Sequence, residues 1–445
     1  MIFWASICAA ISAFFFIGIK APLMRAYLLV NYVLIINPVF LWAFFGIAHP
    51  RFVPGDERYQ LAMMFMAAFN VVLCISFILL MRTMSQSRLA QRAVMKHRLS
   101  RSSSVRAILL IALTLWVLGF AAKWGLNSLG ALRMLDEGGS GDNPFLQALK
   151  VGSAFDQMAI ILLGEVRIAS QTRKWRLNAV LIGMITASAF AALYTGSRAQ
   201  AVIVLIIALL AYRDVARRYW FVVFPAIAAV IPLAFKLFPL LALYRGLNYD
   251  FERARYVLEK SGATVTDIML DVLSTRLNYL ETFARAVGYV QHYGPAGGSI
   301  YWNNIIGFIP RLLWPGKPEI SNDSQALGHL LGLVGRDDRT TSIGLQVVGE
   351  AFYEYGWIGL WVAVFQALIF TMIHKNFYRP GNAAAMTVYI FTALYILQRD
   401  GYFAVVPGLI WLAIGFFLFF LPFALLLPKP RRVPINENLP YRIAH

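Results

Sequence analysis

Eleven runs of apolar residues dominate this chain, at about 2–19, 27–48, 60–81, 107–124, 152–170, 177–194, 198–213, 219–241, 357–373, 383–398 and 404–427. Most are near the roughly 20 residues that a helix needs to cross the hydrocarbon of a bilayer. Hydrocarbon offers no hydrogen-bond partner, so each run must satisfy its backbone internally, as a helix. The runs therefore predict an all-α polytopic membrane protein with about 11 transmembrane helices. A chain that is 59% hydrophobic and 14% charged could not hide these runs in a soluble core. Two runs fit least well. The one at 198–213 is short, and the one at 152–170 carries Asp156 and Glu165, which must face the bundle interior rather than lipid. The first run has no basic segment before it and no small-residue cleavage site after it, so it reads as a retained span. Cys8 and Cys74 both lie inside apolar runs and read as packing residues.

The formal charge of +18 would suggest nucleic acid in a soluble protein. In a membrane protein it suggests orientation, because Lys and Arg collect in cytoplasmic loops. The segment MRTMSQSRLAQRAVMKHRLSRSSSVR at 81–106 is dense in both. Placing it inside puts the N-terminus outside, and QTRKWR, YRDVARR, HKNFYRP and the tail PKPRR then all fall inside. Every second loop is basic. The C-terminus is cytoplasmic on this reading, and no nucleic-acid partner is needed to explain the charge.

The acidic residues concentrate elsewhere. About half of all Asp and Glu lie between Tyr244 and Tyr355, in one long hydrophilic stretch predicted to be outside. This divides the chain into 1–243 with the first eight spans, 244–356 as a large external loop domain, and 357–445 with the last three spans and the tail. The external stretch has helical signals of its own. Thr264 and Asp267 form the spacing of a capping box. Leu273, Leu277, Leu280, Ala284 and Val287 then make one apolar stripe, ended by GPAGGS at 294–299. A second helix is expected to start near Ser342 and run into the span at 357.

No P-loop, dinucleotide fingerprint, HExxH or CxxC pair is present, so no nucleotide cofactor and no metal is expected. What remains is a set of cations at the outer face. Arg198 sits in TGSRAQ, where small residues let backbone N–H groups approach an anion, or where the Arg reaches up to lipid headgroups. Arg276, in STRLNYL with Tyr279 one turn on, reads as an anion contact or as a solvated helix charge. Arg311 and Lys317 lie in FIPRLLWPGKP, where Pro310, Pro315 and Pro318 stiffen the backbone. A planar guanidinium and a nearby ammonium suit phosphate oxygens. Trp314 between them fits an interfacial anchor or a sugar-stacking ring. Arg399, at the outer end of the run at 383–398, completes the set. For a general base the outer carboxylates and histidines compete. Glu350 comes first and His292 second, and Glu354, His329, Asp337 and Asp338 read rather as salt-bridge or hydrogen-bonding residues.

The words TGSRAQ, STRLNYL, GFIPRLLWPGKP and TSIGLQVVGEAFYEYGWIGL, in this order before a late span, resemble the Wzy-type O-antigen polymerases, also called oligosaccharide repeat-unit polymerases. The likeness covers roughly 190–400. It implies a glycosyltransferase C-like membrane fold in the bacterial inner membrane, with the N-terminus periplasmic. It implies an enzyme that takes a glycan linked through pyrophosphate to undecaprenol and transfers it to the next lipid-linked repeat unit, for O-antigen in lipopolysaccharide or a related polysaccharide. The implied partners are that lipid-linked oligosaccharide, the bilayer and a chain-length regulator protein, with no cofactor. On the residues, this assigns Arg198, Arg276, Tyr279, Arg311, Trp314, Lys317 and Arg399 to pyrophosphate or glycan, and Glu350 or His292 to the base. Two alternatives stay open. One is an O-antigen ligase, against which the proline-framed loop argues. The other is a transporter or flippase of the lipid-linked glycan, which should show repeats and broken helices that the sequence lacks.

Overall fold

The structure, a computed structural model, describes residues 1–47, 53, 55–84, 102–128, 149, 152–169, 175–194, 198–222, 225, 240, 251–262, 264, 267, 279–308, 314, 323–333, 344–380 and 383–398. Among the described residues every regular element is a helix. Five are long and apolar enough to cross a membrane. Nine of the eleven apolar runs coincide with helices, while 219–241 lies largely, and 404–427 wholly, outside the described residues.

The first run is α1 (Ile2–Gly18). The second is α2 (Pro22–Phe45), interrupted by a π turn at Tyr32–Ile36. Pro38 explains the interruption: it has no N–H, and its ring would strike the carbonyl four residues back in a tight α-helix. Gly46, with φ of 68°, closes α2 in the left-handed conformation that glycine adopts at no steric cost.

Helix α3 (Glu57–Thr83) is a hub. Asp56 caps it by accepting from the Arg58 N–H at 2.9 Å, and Glu57 and Arg82 complement the two ends of its dipole. It packs on α1, on α10 (Tyr279–Tyr293), on α13 (Gln346–Tyr355) and on α14 (Leu360–Phe377). Phe65 is wholly buried at this junction, edge-on to Phe283, Phe352 and Trp357. The second helix expected in the stretch read as external thus begins at Gln346 rather than near Ser342. It does not run straight into the membrane: Gly356, with φ of 57°, and a 3-10 turn to Gly359 separate α13 from α14. A Cβ on Gly359 would sit 2.1 Å from the Ala351 carbonyl oxygen, so only glycine lets the two segments approach this closely.

The second hub is α5 (Phe155–Ala169). Around it stand α4 (Ser102–Ser128), α6 (Trp175–Tyr194), α7 (Arg198–Ala211) and α15 (Ala383–Gln398). At 15 residues it is about 22 Å long, short of the hydrocarbon thickness. Its residues from Asp156 to Arg167 are all buried, on every face. That is how the run at 152–170 carries charge. Asp156 pairs with Lys123 at 2.6 Å, and Glu165 accepts from Arg213 at 2.9 Å. Arg167 grips Asp214 at 2.6 and 3.2 Å while lying 4.4 Å from the Tyr212 ring centre. Asp156 and Glu165 face the interior, as intramembrane cost demands. Arg213 and Asp214 open α8 (Arg213–Arg218).

Large apolar side chains such as Phe14, Ile17, Phe44, Leu79, Leu110 and Phe190 point outward along these helices. A soluble surface would not carry them in such numbers, so the outer shell is built for lipid. The protein is membrane-embedded.

Candidate functional site at one mouth of the bundle

The cross-helix contacts sort the helix ends into two sides. Lys375 donates to the Met84 carbonyl, so the ends of α3 and α14 lie together. The Glu165–Arg213 and Arg167–Asp214 pairs gather the ends of α5 and α7. At the opposite end of α3 sits a polar layer made with α10. The Tyr59 hydroxyl donates to Glu281, and Arg285 Nε donates to the other oxygen of Glu281 at 2.8 Å. Glu281 is a buried carboxylate with a donor on each oxygen. Arg58 clasps Asp56 at 2.8 and 2.9 Å, which holds the Asp56 carboxyl below the usual carboxylate range.

Between these groups opens a cleft of about 570 Å³. Arg58 from α3, Arg285, Tyr289, His292 and Tyr293 from α10, and Leu331 from the turn after α12 (Asp323–Leu330) line it. The α10 residues fall at i, i+4, i+7 and i+8, the spacing that puts them on one helix face. The opposite face of α10 is apolar: Leu280, Ala284 and Val287 are buried, as the predicted stripe requires. Leu273 and Leu277 of that stripe lie outside the described residues.

The Thr264 capping box forms as expected. Asp267 accepts from the Thr264 N–H at 2.8 Å and hydroxyl at 2.6 Å, and Thr264 Oγ1 accepts from the Asp267 N–H at 3.2 Å. These bonds hold the exposed Asp267 carboxyl below its ordinary range. After α10 the chain turns at Gly294, Gly297 and Gly298, all with positive φ, and enters α11 (Ser299–Phe308). That turn is pinned to α13. The Ala296 and Gly297 N–H groups donate to the Tyr353 and Glu354 carbonyls at 3.0 and 2.8 Å. The Glu354 carboxylate accepts from the Ile300 N–H at 2.9 Å, at the start of α11. Glu354, read from sequence as a salt-bridge partner, is bound by backbone and hydroxyl donors instead. It anchors the helix that leads directly into FIPRLLWPGKP.

The sequence candidates distribute unevenly. His292 is exposed and lines the cleft. Glu350 is half-buried on α13, within electrostatic reach of Tyr27 in α2. Tyr279 is half-buried and packs on the core at the start of α10. Trp314 is exposed. Arg198 is the first residue of α7, and its side chain lies outside the described residues. Arg276, Arg311, Lys317 and Arg399 also lie outside them. Among the described residues no group of three His, Cys, Asp or Glu side chains converges as a metal site would require.

Sequence reading missed Arg58, Tyr59, Glu281 and Arg285. The signals were there: Asp56 precedes an apolar run as a capping residue, and Glu281 and Arg285 are an i,i+4 pair on the helix that carries the apolar stripe. No family model, curated protein or solved structure matches this chain.

Proposed function

We propose that this protein is a Wzy-type polymerase: a glycosyltransferase of the bacterial inner membrane that joins undecaprenyl-pyrophosphate-linked repeat units on the periplasmic side. The proposal includes about 11 spans in a glycosyltransferase C-like arrangement, with the N-terminus out and the C-terminus in. One observation carries it: the succession TGSRAQ, STRLNYL, GFIPRLLWPGKP and TSIGLQVVGEAFYEYGWIGL in a chain of membrane helices. The polar mouth supports it. Helix α10, which begins inside STRLNYL, and α13, which lies inside the last of these words, both pack on α3, so the described residues of the stretch read as periplasmic are folded onto the bundle.

In the proposed reaction an acceptor sugar hydroxyl attacks the anomeric carbon of the donor glycan. The C–O bond to pyrophosphate breaks, and the pyrophosphate departs with the bonding electrons. Arg311 and Lys317, with Arg198, Arg276 and Arg399, meet the charge that develops on it. The hydroxyl proton passes to a base. Of the two candidates His292 is the one that opens onto the cleft, so it takes this role in preference to Glu350.

The test is polymerisation by purified protein from the lipid-linked repeat unit, read as a ladder on a gel and normalised to protein amount. Arg311→Ala should lose on the order of a hundredfold in rate. Arg311→Lys should recover part, since it keeps the charge but not the planar fork. A well-expressed Arg311→Ala variant with a normal ladder would end the catalytic role of that loop, and absence of any ladder from wild type would end the polymerase reading.

A further inference from the structure

The cleft beside α10 is lined by charged residues, yet it is built for a neutral ligand. Among the described residues each cation that faces it already has its anion: Arg58 has Asp56, and Arg285 has Glu281. Among the described residues both guanidiniums on the wall are thus paired, and His292 is the further basic side chain on it. An anion entering here would find two guanidiniums whose charge is already shared with carboxylates, one of them buried. A site meant for pyrophosphate would leave its arginines unpaired, as FIPRLLWPGKP can and this cleft does not.

What the pairing leaves over is hydrogen-bonding capacity without net charge. Arg58 spends Nε and Nη2 on Asp56, while its Nη1 is turned to Gly288 in the cleft wall. A Cβ on Gly288 would fall 2.8 Å from Arg58 Cδ, so glycine here is what lets the Arg lie across α10. Arg285 spends Nε on Glu281 and Nη1 on the Leu331 carbonyl at 3.3 Å, which leaves Nη2. Both guanidiniums are held rigid, with donors at fixed angles. Beside them stand aromatic faces. Tyr289 and Tyr293 have ring centres 4.9 Å apart, and the His292 ring stands at right angles to Tyr293 at 4.5 Å. Tyr293 is 71% exposed, an aromatic face left open to solvent.

Fixed donors around an aromatic wall match a sugar ring, which has an apolar C–H face and a rim of hydroxyls. The volume falls in the range of about 300–1,000 Å³ usual for small-ligand clefts. We infer that this cleft binds neutral saccharide units of a glycan chain, separately from the cationic loop that would hold a pyrophosphate. The inference rests on the polymerase reading for what carries the saccharide, and recognition itself is independent of the lipid.

The experiment uses the full-length protein in lipid nanodiscs. It is probed with an array of neutral and acidic lipid-free bacterial oligosaccharides, and separately with inorganic pyrophosphate. Neutral oligosaccharides should bind, with affinity falling about tenfold in Tyr293→Ala through loss of one aromatic contact. Tyr293→Phe should keep most of it, and Arg58→Gln should weaken it by a similar factor to Tyr293→Ala, all at an unchanged melting temperature. Tyr293 is surface-exposed, so its variants test the idea even where Arg58→Gln unfolds. The inference is overturned if no neutral oligosaccharide binds, if acidic oligosaccharides or pyrophosphate bind in preference, or if Tyr293→Ala leaves binding intact. Saccharide binding without laddering keeps the cleft and removes the polymerase. Laddering with saccharide binding indifferent to Tyr293 does the reverse.

Discussion

Helices α3 and α5 hold equivalent places, each the hub of its own group of neighbours, and they are built on opposite chemistry. Helix α3 is 27 residues long and holds its partners largely through apolar side chains, with the polar layer around Asp56, Arg58 and Tyr59 at its N-terminal end. Helix α5 is 15 residues long, is enclosed by other helices and pairs its own buried charges, Asp156, Glu165 and Arg167, with partners on its neighbours. The difference follows from what each helix touches. One that reaches both membrane surfaces and meets lipid along part of its length can place charge only at its ends. One enclosed by protein can carry charge on buried faces, provided each charge has a partner. Where charge has been moved to an end it is half-open and can do chemistry, as at the Arg58–Glu281–Arg285 mouth. Where it is buried on α5, each charge is taken up by a partner and fastens helices together.

The contrast is tested most severely by stranding a sealed charge. Lys123→Ala leaves Asp156, fully buried, without its cation and should cost about 3–5 kcal/mol, abolishing most folded protein. Removing both, Lys123→Met with Asp156→Leu, should recover most of that, read as melting temperature by fluorescence-detected gel filtration. A double variant as poor as the single would mean α5 is not held by paired charge. At the other hub Phe65→Ala should cost about 3 kcal/mol through the cavity left among Phe283, Phe352 and Trp357. Phe65→Leu should recover part of it, because volume alone matters there.

A smaller effect is expected from Gly164→Ala. Its Cβ would lie 2.7 Å from the Ala211 Cβ and push α5 from α7, costing about 1–3 kcal/mol. Smallest is the acid response of the half-exposed Asp214. Burial opposes its ionisation, but the Arg167 hydrogen bonds outweigh this and hold its pKa below the ordinary value. Its contribution is therefore fully present above the unfolded carboxylate pKa of about 4 and is lost as pH falls through the lower folded value. Melting curves of wild type and Asp214→Asn should differ by about 1 kcal/mol or less near neutrality and converge in strong acid. Curves that separate further in acid would contradict the pairing.

The helices were legible in the sequence because lipid makes one demand of every span, and runs of apolar residues answer it directly. Of the two runs that fit least well, 152–170 did so for a physical reason: apolar runs report contact with lipid, and α5 is buried on every face from Asp156 to Arg167. The π turn could be suspected from Asn37–Pro38 but not located. The mouth of the bundle was half legible. His292 could be named, and the Thr264 cap and the α10 stripe predicted. Yet Tyr59 and Glu281 lie 222 positions apart, and no local pattern brings such residues together. Glu354 shows the converse. Its type and spacing suggested an ion pair, and only the fold reveals that the donors it meets are the Ser299 hydroxyl and the Ile300 N–H at the start of α11.

The π turn at Tyr32–Ile36 bears on how this protein can change length. Such a turn holds one residue more than the α-helix it replaces, so α2 already carries a single-residue insertion and absorbs it locally. Leu28 before it and Val39 after it both remain buried. The same insertion in α3, which has no such turn, would rotate everything beyond it by about 100° and swing buried faces toward lipid. Gains and losses of one residue are therefore accommodated in the second span and excluded from the third, and chains of this kind can be expected to differ in length at the former and agree at the latter.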